Sequence, residues 1–321
     1  VIVDATNAGR RIDVLVRKLL PEVSLGTLMK WIRTGRIRCN GAKVLANHRV
    51  QEGDVLLLPV DVHTPHAPPP KPSPMPEVVY EDEHLLVVYK PVGMVCHVGT
   101  LHEQDSLMHR VEGYLGTHHA LPGSKPGLAQ RLDKDVSGLV PIGKNAVVLR
   151  AMAQQVADGT MDKTYTALVV GQVKHVSGKV DVPLRVDDEP MGNKPRVFPD
   201  PVHGKPSCTL YERCAVGVSG SVLNIRILTG RTHQIRAHMK HAGHPLVGDP
   251  RYGDASFNAF MKTTHGVGHV CLHAGRLEMK HPHTGEPMVF EVLPPSSFIR
   301  AAEACGLPKA FVGTLQPSAH P

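Results

Sequence analysis

The chain has 321 residues, of which 41% are hydrophobic and 20% charged, a balance that suits a globular protein of about two domains. No apolar run approaches the ~18 residues of a membrane span, which excludes an integral helical membrane protein. No charged-then-apolar leader opens at Val1, so the expected location is the cytoplasm.

The net charge of +7, with a pI near 9.1, favours a polyanionic partner, and its placement is uneven. Residues 1–58 carry ten lysines and arginines against five acids. Within them Ile12, Leu15, Val16 and Leu19 fall at i, i+3, i+4 and i+7, the stripe of an amphipathic helix. Leu25, Leu28, Met29 and Ile32 repeat the pattern, with Ser24 as the predicted N-cap and Gly35 as the stop. Asn40-Gly41 predicts a hairpin turn between two short strands, and "GDVLLLP" a further strand. The result is a compact basic module in which Arg11, Lys30, Arg33, Arg36, Arg38 and Lys43 are candidates for phosphate contacts. A charged helix face is otherwise simply solvated.

Residues 59–76 contain eight prolines in eighteen positions, which predicts an extended linker of up to ~55 Å at ~3.1 Å per residue. Beyond it, "LLVVYKP", "GLVPIG", "KTYTALVVGQV" and "VLNIRILTG" predict strands, and "AVVLRAMAQQVADG" and "THQIRAHMKHAG" helices. Their irregular order predicts an α+β domain with a mixed or antiparallel sheet, not a doubly wound one. Pro141, inside a predicted strand, calls for an edge position or a bulge. The final "FVGTLQPSAHP" shows no periodicity and is expected to fray. The predicted division is therefore a module at 1–58, a linker at 59–76, a main domain at 77–300 and a tail at 301–321.

The six cysteines form no C-x-x-C pair and no zinc spacing, so reduced thiols are expected. His233, His238, His241 and His244 crowd one segment, but they offer only i+3 helical pairs and no H-E-x-x-H, so no metal is predicted there. "QRLDKDVSG" (Gln130–Gly138) places Asp133 and Asp135 among cations, without metal-ligand spacing or a phosphate-cradling glycine loop. By spacing alone a charged surface turn outweighs an active site.

A resemblance changes that balance. "GLAQRLDKDVSGLV" resembles the catalytic motif of the RluA family of pseudouridine synthases, usually H-R-L-D-x-x-T-S/T-G. "YEDEHLLVVYKPVGMVCH", "KTYTALVVG", "TGRTHQIRAHMKHAGHPLVGDPRYG" and "LHAGRLEMKHPHTGEPMVFEVLPP" resemble the family's other blocks in order. Residues 10–58 resemble the S4 RNA-binding domain. Gln130 and Val136 depart from the usual His and Thr, and Leu25-Gly26 follows Ser24 where S4 domains often carry an Arg.

The resemblance implies an RNA pseudouridine synthase with Asp133 as nucleophile, no cofactor and no metal. It implies that Arg131 holds the flipped nucleotide, that Tyr165 packs on the uracil, and that Arg231 is the cation beside the nucleophile. It is nearest the RluD-like branch, which implies large-subunit ribosomal RNA as substrate; a monomer is the expected state. The competing readings are a non-catalytic RNA-binding or ribosome-assembly protein keeping the fold, and a metal-dependent hydrolase on RNA.

Overall fold

The computed structural model describes residues 1–20, 23, 25–59, 74–97, 105–118, 125–187 and 196–315. Most of the predicted linker and the Ser24 cap lie outside them. The chain divides into an N-terminal unit and a larger unit that begins after residue 71.

In the N-terminal unit, α1 (Ile12–Leu19) and α2 (Leu25–Thr34) bury Ile12, Leu15, Val16, Leu28 and Ile32 of the two predicted stripes, with Leu19 half-buried, while Leu25 and Met29 are exposed. Gly35 ends α2 with φ of 73°, the left-handed stop that glycine adopts without strain. A three-stranded antiparallel sheet follows in the order β2-β1-β3, from β1 (Arg38–Cys39), β2 (Ala42–Lys43) and β3 (Leu56–Leu57). Asn40 and Gly41, at φ 51° and 75°, form the predicted hairpin turn.

The larger unit is built on a ten-stranded mixed sheet. Its strands begin with β4 (Val78–Glu81), β5 (Leu85–Lys90), β6 (Gly127–Leu128) and β7 (Ser137–Gly143), with α3 (Leu107–His118) between β5 and β6 and α4 (Ala146–Ala157) after β7. Asn145 caps α4, accepting from the N–H groups of Val147 and Val148. Then come β8 (Asp162–Val170), β9 (Ser177–Asp181), the separate ribbon β10 (Leu184–Val186) and β11 (Val197–Pro199), β12 (Cys208–Val216) and β13 (Gly220–Ile227). Helices α5 (Gln234–His241) and α6 (Ala255–His265) precede β14 (Leu272–Lys280) and β15 (Pro287–Glu291).

The strand path is β4-β5-β7-β14-β8-β13-β12-β9, with β15 on β14 and β6 on β7; β7 and β14 are the parallel pair. That contact is tight. Gly138 has φ of 125°, and a Cβ there would lie 2.3 Å from the Ala274 carbonyl oxygen, so only glycine fits. Beside it Ser137 Oγ and His273 Nδ1 are 2.9 Å apart in the interior.

Pro141 pairs with Val87 on one side. On the other side it falls between the end of the β14 contact at Gly138 and the start of β6 at Ile142. A proline is tolerated in an inner strand because the ladder is open there.

The chain end corrects the sequence reading. Helices α7 (Ser296–Ala304) and α8 (Lys309–Thr314) pack on the sheet face opposite Tyr165, burying Phe298, Ala301, Ala302, Cys305, Val312 and Leu315 with Leu168 and Val222. Residues 301–315 thus belong to the large unit's core, because burial of Val312 and Leu315 outweighs the weak periodicity of "KAFVGTL". No helix among the described residues is long and apolar enough to cross a membrane.

Candidate active site

Loop 129–136, between β6 and β7, carries Asp133 and is fastened from below. The Lys90 ammonium, fully buried at the end of β5, donates to the carbonyls of Pro91, Met94 and Lys134 at 3.0, 2.8 and 3.1 Å. Burial pulls its pKa down to about 8. Cys96 Sγ lies 3.4 Å from both the N–H and the carbonyl of Leu132, and the Gly93 N–H donates to the Lys134 carbonyl. Val136 and Leu132 are buried in the main core. A valine at 136 therefore anchors the loop through packing, where the family's usual residue would bring a hydroxyl.

Above this loop opens a cavity of about 620 Å³, a volume in the range of small-ligand sites. Its walls are loop 128–136, Val95–His97, Tyr165 from β8, and the β13–α5 connection from Gly230 to Arg236. Asp133 stands in the wall, 29% exposed. Its Oδ2 accepts from Arg236 Nη1 at 3.1 Å, and His233 Nε2 lies 3.7 Å away.

Arg236 is held by more than Asp133. Its Nε and Nη2 donate to the two oxygens of Asp249 at 2.8 and 2.9 Å, a bidentate pair with both side chains inside the protein. Asp249 Oδ1 also accepts the backbone N–H groups of Arg251 and Tyr252. Burial opposes charge on both partners, yet their bonds to each other raise the Arg236 pKa and lower that of Asp249. The Tyr252 ring lies 5.2 Å from the guanidinium carbon, and its hydroxyl is 2.9 Å from His233 Nδ1. His233 sits at the start of α5 with φ of 52°, a strained conformation for a non-glycine residue. Its pKa falls, first through burial, so it is neutral at pH 7.

Tyr165, 7% exposed, faces the cavity. Burial and then the nearby Asp133 push its hydroxyl pKa well up, so it remains a neutral phenol. Arg131 also lines the cavity with its side chain exposed. The cavity thus gathers Asp133, Tyr165 and Arg131 as the sequence predicted.

Arg231 is the correction. It is exposed at the rim, and its Nε donates to the Pro206 carbonyl at 3.2 Å; the guanidinium on Asp133 belongs to Arg236, in the first turn of α5. The signal was present in the sequence. Arg236 lies between Ile235 and Met239 on the buried face of α5, and an arginine in an apolar stripe requires an acid partner, which "VGDPRYG" supplies as Asp249. Of the other crowded histidines, His238 bonds Thr209 and the Val182 carbonyl, His244 bonds the Val170 carbonyl, and His241 is exposed.

In the N-terminal unit Lys30, Arg33 and Lys43 line a hollow of about 450 Å³ together with Met29, Ile32, Val44 and Leu45. Gly26 also lines it, at the point where S4 domains often carry an arginine. Arg36 is exposed. Arg11 is bound to Asp13 at 2.8 Å, and Arg38 donates to the carbonyls of Gly35 and Gly41, so these two serve local structure.

Comparison with known proteins places this geometry. Residues 84–241 match the model of the RNA pseudouridylate synthase family, and residues 10–56 that of the S4 domain. An uncharacterised RNA pseudouridine synthase of Bacillus subtilis is 33% identical over 92% of this chain and 94% of its own. The chain belongs to the RNA pseudouridylate synthase family. Ribosomal large subunit pseudouridine synthase C of Vibrio vulnificus is 33% identical, covering 89% of this chain and 90% of its own, and synthase D of Pseudomonas aeruginosa 30%, covering 91% and 90%. Human RNA pseudouridylate synthase domain containing 4 shares the fold, with a TM-score of 0.58 at 20% identity over 72% of this chain and 94% of its own. The synthase therefore couples an S4 RNA-binding domain to an isomerase domain, in place of the non-catalytic and hydrolase alternatives.

Proposed function

We propose that the synthase converts uridines of large-subunit ribosomal RNA to pseudouridine, with Asp133 as the covalent nucleophile. One observation carries the assignment: Asp133 is the carboxylate in a nucleoside-sized cavity whose charge is matched by a buried, bidentately anchored arginine. A carboxylate can attack either C1′ of the ribose or C6 of the uracil and later depart. The N1–C1′ bond breaks, the base turns, C5 bonds to C1′, C5 loses its proton and N1 takes one up, so the product is an isomer of the substrate. Nothing is oxidised or reduced.

Arg236, bonded to Asp133 at 3.1 Å, aims the carboxylate before attack and faces its charge again on release. The neutral Tyr165 hydroxyl and ring supply a flat wall for the uracil. To reach this cavity the uridine must leave its stack, and the exposed Arg131 at the mouth is placed to hold the flipped nucleotide's backbone. Lys30, Arg33 and Lys43 around the hollow of the S4 domain supply phosphate contacts that position the RNA. The relatives named as large-subunit synthases C and D support ribosomal RNA as substrate, hence a cytoplasmic site of action.

The test is a map of pseudouridines in the large-subunit RNA of cells carrying the wild-type chain, Asp133→Asn, or neither. The proposal predicts sites present only with the wild type. Identical maps in all three would overturn it.

A further inference from the structure

Cys39, His48 and Asp54 of the N-terminal unit come together although their spacings of nine and six residues carry no zinc signature. A thiol sulfur, a ring nitrogen and a carboxylate oxygen all lie within 4.8 Å of one another, the one such trio found among the described residues. Ligands of a tetrahedral zinc stand roughly 3.3–3.8 Å apart, given metal–ligand bonds of ~2.0–2.3 Å. A closure of at most about 1.5 Å separates the trio from that geometry.

Three segments converge here. Cys39 ends β1. His48 follows the turn after β2, with its N–H on the Leu45 carbonyl and its carbonyl accepting from Ile12 at 2.8 Å, at the start of α1. Asp54 closes the turn before β3. The carboxylate is already aimed: Asn40 Nδ2 donates to Oδ1 at 2.8 Å, the Gln51 N–H donates to Oδ2 at 2.7 Å, and Asn40 Oδ1 accepts from the Val55 N–H at 2.8 Å. Such outer bonds fix the direction of a metal ligand and leave a lone pair free on each oxygen.

We propose that Cys39, His48 and Asp54 form a structural zinc site that braces the S4 domain. The chemistry of the donors selects the ion, since thiolate, imidazole and carboxylate together suit Zn²⁺ better than the hard cations. Charge also balances. On binding, the Cys39 thiol releases its proton to solvent, and thiolate plus carboxylate neutralise the dication with His48 bound as the neutral imidazole, so the occupied site carries no net charge; Cys39 is buried, and His48 and Asp54 are open to solvent in part. Without metal the buried thiol is held protonated, by desolvation and then by its bond to Asp54. A water completes the tetrahedron. The brace has a physical purpose, because a unit with so few buried side chains is marginal by itself, and it fixes the hairpin that carries Lys43.

The test uses the full chain, stripped with a chelator and titrated with Co²⁺. One equivalent is expected to produce a thiolate-to-cobalt charge-transfer band and tetrahedral visible bands, both erased by Zn²⁺, and Zn²⁺ is expected to raise the thermal midpoint of the N-terminal unit. Cys39→Ser abolishes the charge-transfer band, while Cys208→Ser in the other unit leaves it. Asn40→Gly keeps the left-handed turn but frees the carboxylate, so zinc affinity falls about 10–100-fold. Should Cys39→Ser not fold, His48→Gln gives the same readout by losing the tetrahedral spectrum. Absence of the band in the wild type, its persistence in Cys39→Ser, or unchanged affinity in both Asn40→Gly and His48→Gln overturns the proposal and leaves a thiol–carboxylate hydrogen bond alone. None of these results depends on turnover at Asp133.

Discussion

Replacing Arg236 by methionine separates the structural and chemical parts of the Asp133–Arg236–Asp249 chain. The Asp249 side chain is 0% exposed and that of Arg236 4%, so the substitution strands a carboxylate in the interior. Breaking a buried pair costs about 3–5 kcal/mol. Two backbone N–H groups still reach Asp249, which places the expected loss near the lower end. Its pH dependence follows from the sign of the shifts. In the wild type the Asp249 pKa lies below its ordinary 3.8, so its stabilisation is complete above that value and lost as pH falls through the lowered pKa. In Arg236→Met the same carboxyl is raised, so the deficit is greatest at neutral pH and closes on acidification.

Adding Asp249→Asn removes the stranded charge yet keeps an oxygen for both N–H groups, and should restore about 2 kcal/mol at pH 7. Turnover should not return, because Asp133 still lacks its cation; loss of one preorganised electrostatic partner typically lowers kcat about 10²–10³-fold. Denaturant unfolding and single-turnover pseudouridine formation measure the two quantities on the same samples. If the double variant regains near-normal turnover, Arg236 acts only as a brace. If Arg236→Met costs under about 1 kcal/mol, the pair is not buried as described.

Asp133→Asn should abolish product while circular dichroism and RNA affinity stay near wild type, whereas Asp135→Asn should retain turnover; near-normal activity of the first would rule out the covalent route. Lys163, buried on β8 with no hydrogen-bond partner for Nζ among the described residues, has its pKa lowered by burial from 10.5 to about 8. Its charged form therefore opposes folding. Wild-type stability should rise with pH between 8 and 10.5, where the unfolded chain binds more protons, and Lys163→Met should reduce that rise to the part that Lys90 contributes and add about 1–3 kcal/mol at pH 7; urea titrations at pH 7 and 9.5 decide. Lys30→Ala with Arg33→Ala should weaken RNA binding and make the log–log salt slope shallower by roughly 0.7–0.9 per lost phosphate contact, while Arg11→Ala should leave the slope unchanged. Filter binding across a salt series distinguishes a phosphate-binding face from a solvated one.

The sequence by itself determined the features that depend on neighbours along the chain. Two helical stripes, the Asn40-Gly41 turn, the strands around Tyr165 and the motif that surrounds Asp133 were legible because periodicity, turn preference and motif spacing are local properties. It also placed Tyr165 and Arg131 with Asp133, through resemblance rather than through spacing. What tertiary structure decided were the partners. Arg231 and Arg236 are both cations near one strand end; the apolar neighbours of Arg236 in α5 mark it as buried and in need of an acid, but its contact with Asp133 is decided by the packing of α5 beside loop 129–136. The helix at Lys309–Thr314 exists because Val312 and Leu315 meet an apolar sheet face that no local pattern announces. Cys39, His48 and Asp54 likewise lie on three segments whose approach is set by the folding of β1 against β3, a distance in space that separation along the chain does not encode.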